Sequence, residues 1–237
     1  MAIQNTLPNP SNGINQAGGI VSASNEPGYA TVKVDSKFKT ARDTTNSGVL
    51  ISRSKAAQSF DVNITYNPLT EDEFMPVYSF LMEKQGMLKP FFVPLPQYDS
   101  PRDSTLAASG TINFSPITNY AAGKVTLTIA DPSYDSSTDG SLKPGDLITF
   151  NDSNDSNHLK AYKIVRVSTN ATFEGTQPTI TQQTITVSPP LQKDVSSSAI
   201  VIYKNPKIKV IQKSDVVSYN LGTDNLYKYS LSAMEVQ

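Results

Sequence analysis

The sequence has no cysteine, no tryptophan and a single histidine among its 237 residues. The missing cysteines exclude disulfides, thiolate nucleophiles and cysteine-held iron–sulfur clusters, and they leave the redox compartment undetermined. With His158 as the one histidine, metal sites built from several histidines are excluded as well. A Ser–His–Asp arrangement needs only one histidine, so composition alone leaves it open.

Charge and long apolar runs are also scarce. Only 17% of the residues are charged, and the formal net charge is −1, so no general attraction to nucleic acid or anionic lipid is expected. No apolar run approaches the ~18 residues that a membrane span needs. The N-terminus lacks the charged and apolar segments of a secretory signal. The sequence therefore predicts no membrane partner and no sequence-specific nucleic-acid partner.

What is abundant is neutral polarity and period-two patterning. Ser, Thr, Asn and Gln carry most of the polarity, which favours strands and turns over helical bundles. Residues 1–27 are an exception, because their prolines, glycines and isolated apolar residues follow no period. Such a segment would not fold alone, and it is interpreted as an extended arm that docks on another surface.

The clearest strand pattern lies at residues 60–66. Phe60, Val62, Ile64 and Tyr66 alternate with polar residues, which predicts a strand with one buried and one solvated face. A weaker alternation of the same kind begins after Gly28. The C-terminal residues 227–233 alternate again and predict a closing strand.

One long helix is expected at about residues 70–86. Thr70 and Glu73 have the spacing of a capping box, and Gly86 supplies a C-terminal stop. Pro76 removes a backbone donor six residues past the cap. A later start near Met75, with the proline in the first turn, is therefore preferred.

The proline-rich segment 89–96 follows the helix directly. Its prolines cannot donate to a β-ladder, so the segment is predicted to be an edge strand or an extended segment with Phe91 and Phe92 on opposite sides. A polar run at 98–109 then indicates a boundary. Short strands separated by turn signals fill residues 110–205, which is typical of a small barrel or sandwich. They are predicted at 111–114, 124–129, 146–150, 161–167, 183–187 and 199–203.

Few residues suggest chemistry. Asp135, Asp139 and Asp146 fall at calcium-loop positions, with Gly140 at the sixth position. The final ligand is Asp instead of a bidentate Glu, and no helices flank the loop, so a polar turn is favoured over calcium. No metal site and no cofactor are predicted.

The candidate catalytic residues have simpler explanations. His158 adjoins a polar loop without a nucleophile elbow, so a solvated histidine is expected. The acidic residues 71–73 are explained by the helix dipole. Alternating lysines at 204, 207, 209 and 213 indicate a solvated or inter-subunit strand face. No catalytic residue is predicted.

Two stretches carry a resemblance to a known family. The first is FDVNITYNPLTEDEFMPVYSFLMEKQGMLKPFFVPLP, and the second is the series LKPGDLITF, AYKIVRV, TITVSPPL and AIVIYKNP. Together with the terminal KYSLSAMEV, their order resembles the distal tail proteins and lambda-type minor tail proteins of long-tailed bacteriophages. The resemblance covers roughly residues 60–237.

The resemblance implies a mainly β fold in two parts. A sandwich- or barrel-like ring-forming domain with one helix spans 28–103 and 207–237, and an inserted small β-barrel module spans 104–206. The implied function is a structural one, without catalysis. Six copies would form a ring at the virion tail tip, joining the tail tube protein to the baseplate hub or tip protein after synthesis in the host cytoplasm.

In such a ring, subunit contacts are expected from the edge segment and the arm. The candidate contact residues are Phe91, Phe92, Leu7, Ile14 and Ile20. The alternative is a carbohydrate-binding β module, for which Tyr134 and Tyr162 would be the exposed aromatics. A cell-wall or capsule hydrolase that depends on His158 or Glu73 is a further alternative.

Overall fold

The computed structural model describes residues 5–8, 29–109, 112–135, 139–154, 158–168 and 182–236, without the side chains of 54–57. Within these ranges the chain is mainly β, as expected. It forms two compact units. The first comprises Met1–Lys37, Ser59–Pro94 and Ile208–Val236, and the second comprises Phe38–Gln58, Leu95–Lys207 and Gln237.

A five-stranded sheet forms most of the first unit, while the parts of its two longest strands that fall within Phe38–Gln58 belong to the second unit and not, as expected, to the first. The strands of this sheet are β1 (Tyr29–Thr44), β2 (Leu50–Tyr66), β3 (Phe91–Pro94), β10 (Lys207–Gln212) and β13 (Ser230–Glu235), in the order β1-β2-β13-β10-β3. The predicted alternation at 60–66 is confirmed, because all four of its apolar residues are buried. Antiparallel pairing of Val62 with Ala233 and of Ile64 with Leu231 places the two strongest patterns side by side.

The predicted helix is α1 (Glu71–Lys84). Its capping box is formed: the Thr70 backbone N–H donates to the Glu73 carboxylate at 2.9 Å, and the Glu73 backbone N–H donates to the Thr70 side chain. The expectation of a later start near Met75 is therefore wrong, and Pro76 lies inside the helix. The cap and the burial of the apolar stripe compensate for the missing donor.

A small hairpin follows β10. It pairs β11 (Asn220–Leu221) with β12 (Tyr227–Lys228). The Tyr227 ring stacks on Phe74 of α1, with ring centroids 4.8 Å apart. The hairpin thus packs on the helix through an aromatic contact.

The second unit holds a nearly closed six-stranded barrel-like sheet. Its strands, in the order β4-β5-β8-β7-β6-β9, are β4 (Ser115–Pro116), β5 (Thr126–Ala130), β8 (Gln182–Ser188), β7 (Tyr162–Ser168), β6 (Leu147–Asn151) and β9 (Ile200–Ile202). The Val201 N–H donates to the Phe114 carbonyl at 2.8 Å, which links β9 to the chain entering β4. The predicted strand at 111–114 is wrong for the described residues 112–114, since strand pairing begins at Ser115.

Two short helices precede the barrel, a 3₁₀ turn (Pro96–Tyr98) and α2 (Ser104–Ala108). Asp103 caps α2 by accepting from the backbone N–H groups of Thr105 and Leu106. This region is the predicted polar boundary. The division into units falls earlier, at Pro94, and not at 103/104, while the later boundary lies at Lys207.

The core of the second unit comes from alternate strand residues and several aromatic side chains. Phe114 and Tyr134 meet edge to face, with centroids 4.8 Å apart. Leu127, Ile129 and Ile185 are fully buried beside them. Because period-two alternation puts these residues on one face of each strand, the curved sheet encloses a single apolar core.

Candidate interaction surfaces

The most unusual surface is the end of the β1–β2 hairpin, residues 36–53, here called the hairpin tip. Every residue in it except Thr45 is exposed, although its strand residues belong to strands of 16 and 17 residues. Its apolar side chains point outward too: Phe38 is 68% exposed and Leu50 is 62% exposed. A two-stranded ribbon without a covering layer is only marginally stable in water. The hairpin tip therefore exposes apolar side chains that a covering layer would normally bury.

Local hydrogen bonds order the turn that closes the hairpin tip. The Thr45 N–H donates to the Val49 carbonyl at 3.0 Å, and the Val49 N–H donates to Thr45 Oγ1 at 3.0 Å. Gly48 adopts a φ of 78°, in the left-handed region that favours glycine. The turn thus has its own hydrogen-bonded structure.

A buried carboxylate anchors the base of the hairpin within the first unit. Lys213 Nζ lies 2.6 Å from Asp61 Oδ2, and Lys37 forms a second ion pair with the same oxygen. Burial alone would raise the pKa of Asp61, but the hydrogen bonds from Lys213 and Lys37 outweigh it and lower this pKa below its usual value. Asp61 is therefore held as a carboxylate that joins β1, β2 and the segment after β10.

The other edge of the first sheet is covered by the chain's own N-terminal segment. The Leu7 N–H donates to the Phe92 carbonyl, and the Phe92 N–H donates to the Asn5 carbonyl, both at 2.8 Å. Leu7 is buried, and Phe91 is fully buried edge-on against Phe80. The expectation that Phe91 would present an anchor at the surface is therefore wrong, because its ring belongs to this chain's core.

The remaining predicted contact residues lie in different surroundings or outside the described ranges. Phe92 is half-buried at the covered edge, so contact with another subunit stays a prediction for it. Leu7 docks on its own chain here. Ile14 and Ile20, like most of the predicted arm, lie outside the described residues.

An aromatic cluster underlies the sheet near the start of β1. The rings of Tyr29 and Tyr66 meet edge to face at 5.3 Å, and Tyr229 lies 5.8 Å from Tyr66. The hydroxyls of Tyr29 and Tyr66 are buried and have no hydrogen-bond partner among the residues that the structure describes. Desolvation raises the pKa of both tyrosines, and it raises the pKa of Tyr229 to about 12. These phenols stay neutral and serve packing.

The calcium-loop candidates do not converge on a cation. Asp146 accepts hydrogen bonds from the backbone N–H groups of Arg102 and Lys143, at 3.0 and 2.8 Å. Asp139 accepts one from the Asp135 N–H at 2.9 Å. Among the described residues, which omit 136–138, no group of three or more acidic or histidine side chains could hold a metal ion. These carboxylates organise turns.

His158 is buried, so the expectation of a solvated histidine is wrong. Its Nδ1 lies 3.3 Å from the Asp194 carbonyl, and its Nε2 lies 2.8 Å from the Tyr162 hydroxyl. The Gln192 N–H donates to the same hydroxyl. Since a carbonyl can only accept, Nδ1 carries a proton, and in the neutral imidazole Nε2 then accepts from the Tyr162 hydroxyl. The polar sequence around His158 does not indicate that its ring is buried against the rings of Phe150 and Tyr162.

The tyrosines of the carbohydrate-binding alternative are also buried. Tyr162 bonds to His158. Tyr134 donates to the Gly140 carbonyl at 2.6 Å and accepts from Gln183, and burial raises its pKa to about 12. Neither ring presents a face to a sugar, so the expectation that they would be exposed is wrong.

The predicted lysine stripe is divided among different roles. Lys204 donates to the Ala107 and Ser109 carbonyls, whereas Lys213 binds Asp61. Along β10 the side chains alternate, with Lys207 exposed and Ile208 buried. The stripe therefore includes structural lysines as well as solvated ones.

No family model matches the chain, and no curated protein matches it. Within the described ranges, none of the helices has the length and apolar character to cross a membrane.

Proposed function

We propose that the chain is a structural subunit that assembles with its own copies into a ring at the distal end of a long-tailed bacteriophage tail. The ring would join the tail tube to the baseplate hub or tip protein, as a virion component without catalysis. The observation that carries the proposal is the hairpin tip. Its two faces and its apolar side chains are exposed in the single chain, and a neighbouring subunit would cover them.

The edges of the first sheet support a directional assembly. One edge, at β3, is occupied by Asn5–Leu7. The opposite edge strand is β1, which leads into the hairpin tip. A subunit with one closed edge and one projecting ribbon makes unlike contacts on its two sides, and repeated unlike contacts close into rings when the rotation permits. Six copies are the number that the resemblance implies.

The test is the assembly state of the full chain. Native mass spectrometry and light scattering across a wide concentration range should give one closed stoichiometry, and negative-stain electron microscopy should show rings. Purified tail tubes should retain the chain in co-sedimentation. A chain that is monomeric at every concentration and never associates with tail tubes would overturn the proposal.

A further inference from the structure

A second exposed surface lies on α1 and the turn after it. It comprises the side chains of Asp72, Met82, Glu83, Met87 and Leu88, here called the helix face. At 100° per residue, Asp72 and Glu83 lie within about 20° of each other around the helix, roughly 16 Å apart along its axis. Met82 is 53% exposed and Leu88 is 67% exposed. Acidic and apolar side chains are therefore exposed together on this helix and on the turn that follows it.

The charge of the helix face is negative. The exposed acidic residues of α1 include the whole first turn and Glu83, whereas its one basic residue, Lys84, is buried and pairs with Glu83 at 3.2 Å. Lys89 is the exposed base nearest in sequence. The carboxylates thus face solvent beside exposed methionine and leucine side chains.

The hairpin tip has the opposite charge and the same apolar character. Over residues 36–53 it carries Lys37, Lys39, Arg42 and Arg53 against Asp43, all exposed, which is four positive charges minus one negative, or a net +3, with Lys37 already paired to Asp61. Phe38 and Arg42 lie on one face of β1, and Lys39 lies on the other, because strand side chains alternate. Both faces of the ribbon therefore combine basic and apolar groups.

We propose that the hairpin tip of one copy docks on the helix face of the next copy. The inference rests on the proposed ring and names its two contact surfaces. Phe38 would cover Met82 and Leu88, and Arg42, on the same face of β1, would lie against Asp72 and Glu83 and select the register. Lys39, on the other face, would add to the positive charge that steers the approach.

The occupant is a second copy because the two surfaces match in both properties that define a contact. Opposite charge steers and orients association, and the apolar side chains, which are exposed in the single chain, would supply the affinity when the contact buries them. The contact is heterologous, since the hairpin tip and the helix face are different surfaces. It can therefore repeat from copy to copy and close.

Two charge-reversed variants of the full chain test the pairing. The first, K39E/R42E, makes the hairpin tip acidic and leaves the helix face acidic. The second, D72K/E83K, makes the helix face basic and leaves the hairpin tip basic. Each variant alone then repels its own copies, and the concentration for half assembly should rise on the order of 100-fold or more. Circular dichroism should show that both variants remain folded.

Mixing the two variants should restore assembly. In the mixture every acidic surface has a basic partner on the other variant, so rings with alternating variants should form in equal proportions. The control K124E/R166E makes the same charge change at exposed barrel positions, and it should assemble like the unmodified chain. Native mass spectrometry distinguishes the alternating composition.

The outcomes separate the inference from the proposed function. If the unmodified chain forms rings and either variant assembles equally well, the pairing is wrong while the ring stands. If both variants are monomeric and folded but the mixture stays monomeric, the two surfaces do not meet, and the pairing is again wrong. If the unmodified chain never associates, the ring and the pairing fall together.

Discussion

The hairpin tip and the barrel of the second unit consist of strands with similar composition but opposite environments. In the barrel, the apolar residues of β5 and β8 face an enclosed core, and Leu127 and Ile185 are fully buried. In the hairpin tip, Phe38 and Leu50 are 68% and 62% exposed, and no described layer of the chain covers them. A strand is stabilised by the layer that covers it, so the barrel is stabilised within the chain, whereas the hairpin tip would gain a covering layer only through the proposed contact with another copy.

The largest expected contrast is in hydrogen exchange. In the dissociated chain, amides of the hairpin tip should exchange on the order of 10³-fold or more faster than those of β5 and β8, because a solvated ribbon opens locally at little cost. On assembly the hairpin-tip amides should slow while the barrel amides stay unchanged. Mass-spectrometric exchange on monomer and assembled fractions measures both. Equal protection of the two regions in the monomer would contradict the comparison.

A matched pair of phenylalanine substitutions tests the same contrast energetically. Phe114→Ala removes a fully buried ring that packs on Tyr134 and should cost about 3–5 kcal/mol of unfolding free energy. Phe38→Ala removes an exposed ring and should change the monomer's stability by less than about 0.5 kcal/mol.

Urea unfolding followed by circular dichroism measures both phenylalanine variants, and tyrosine fluorescence is a second probe because the chain has no tryptophan. A similar loss for the two variants would mean that the hairpin tip is packed in the single chain. Phe38→Ala should weaken assembly in the same preparations.

Alanine substitutions at two glycines allow a crowded turn, at Gly86, to be compared with an open turn, at Gly48. Both have positive φ, 63° at Gly86 and 78° at Gly48, so alanine at either position should cost about 1–2 kcal/mol. A Cβ at Gly86 would also lie 2.7 Å from the Asp215 Cα, whereas nothing lies within 4 Å of one at Gly48. Gly86→Ala should therefore be the more destabilising variant in thermal unfolding. Equal losses would show that the segment at Asp215 moves aside without cost.

The smallest expected effect concerns how the free energy of unfolding depends on pH through Asp61, at the base of the hairpin. Since the folded-state pKa of Asp61 is lowered, its carboxylate stabilises the folded chain above the unfolded value of about 3.9. This contribution is lost as the pH falls from that value through the folded-state pKa. Asp61→Asn should flatten this part of the stability curve measured between pH 7 and pH 2.

The control for the acid dependence is Asp35→Asn, at a carboxylate paired only with exposed Lys33. It should retain the slope of the unmodified chain. If Asp61→Asn and the unmodified chain have parallel curves, the ion pairs at the base of the hairpin do not contribute to the acid dependence.

Local patterns predicted much of the fold correctly. Phe60, Val62 and Ile64 follow the strand period without interruption, and the capping box at Thr70 marks the start of α1. These signals are reliable because they depend on residues adjacent in sequence. Pro76 led to a wrong prediction of where the helix begins. The missing hydrogen bond at this proline is visible in the local sequence, whereas the burial of Phe74 and Leu81 that compensates for it comes from tertiary packing.

The candidate surfaces were harder to predict. Phe91 and Phe92 resembled exposed anchors, yet an N-terminal segment distant in sequence covers their edge. The residues next to His158 in sequence do not indicate that it is buried, because the rings that contact it, Phe150 and Tyr162, lie on different strands. The hairpin tip has an ordinary strand composition, and its exposure depends on which layers the rest of the chain provides.

The sequence by itself determined the mainly β class, the helix with its cap and the alternation that selects a buried face on each strand, since these follow from periodicity and local hydrogen bonding. Only the tertiary structure decided which of those faces are covered within the chain. Contacts between segments far apart in sequence bury Phe91, His158 and Tyr134. Where such contacts are lacking among the described residues, as at Phe38 and Leu50, the side chains stay exposed. Such contacts depend on how the layers stack, which no short stretch of residues specifies.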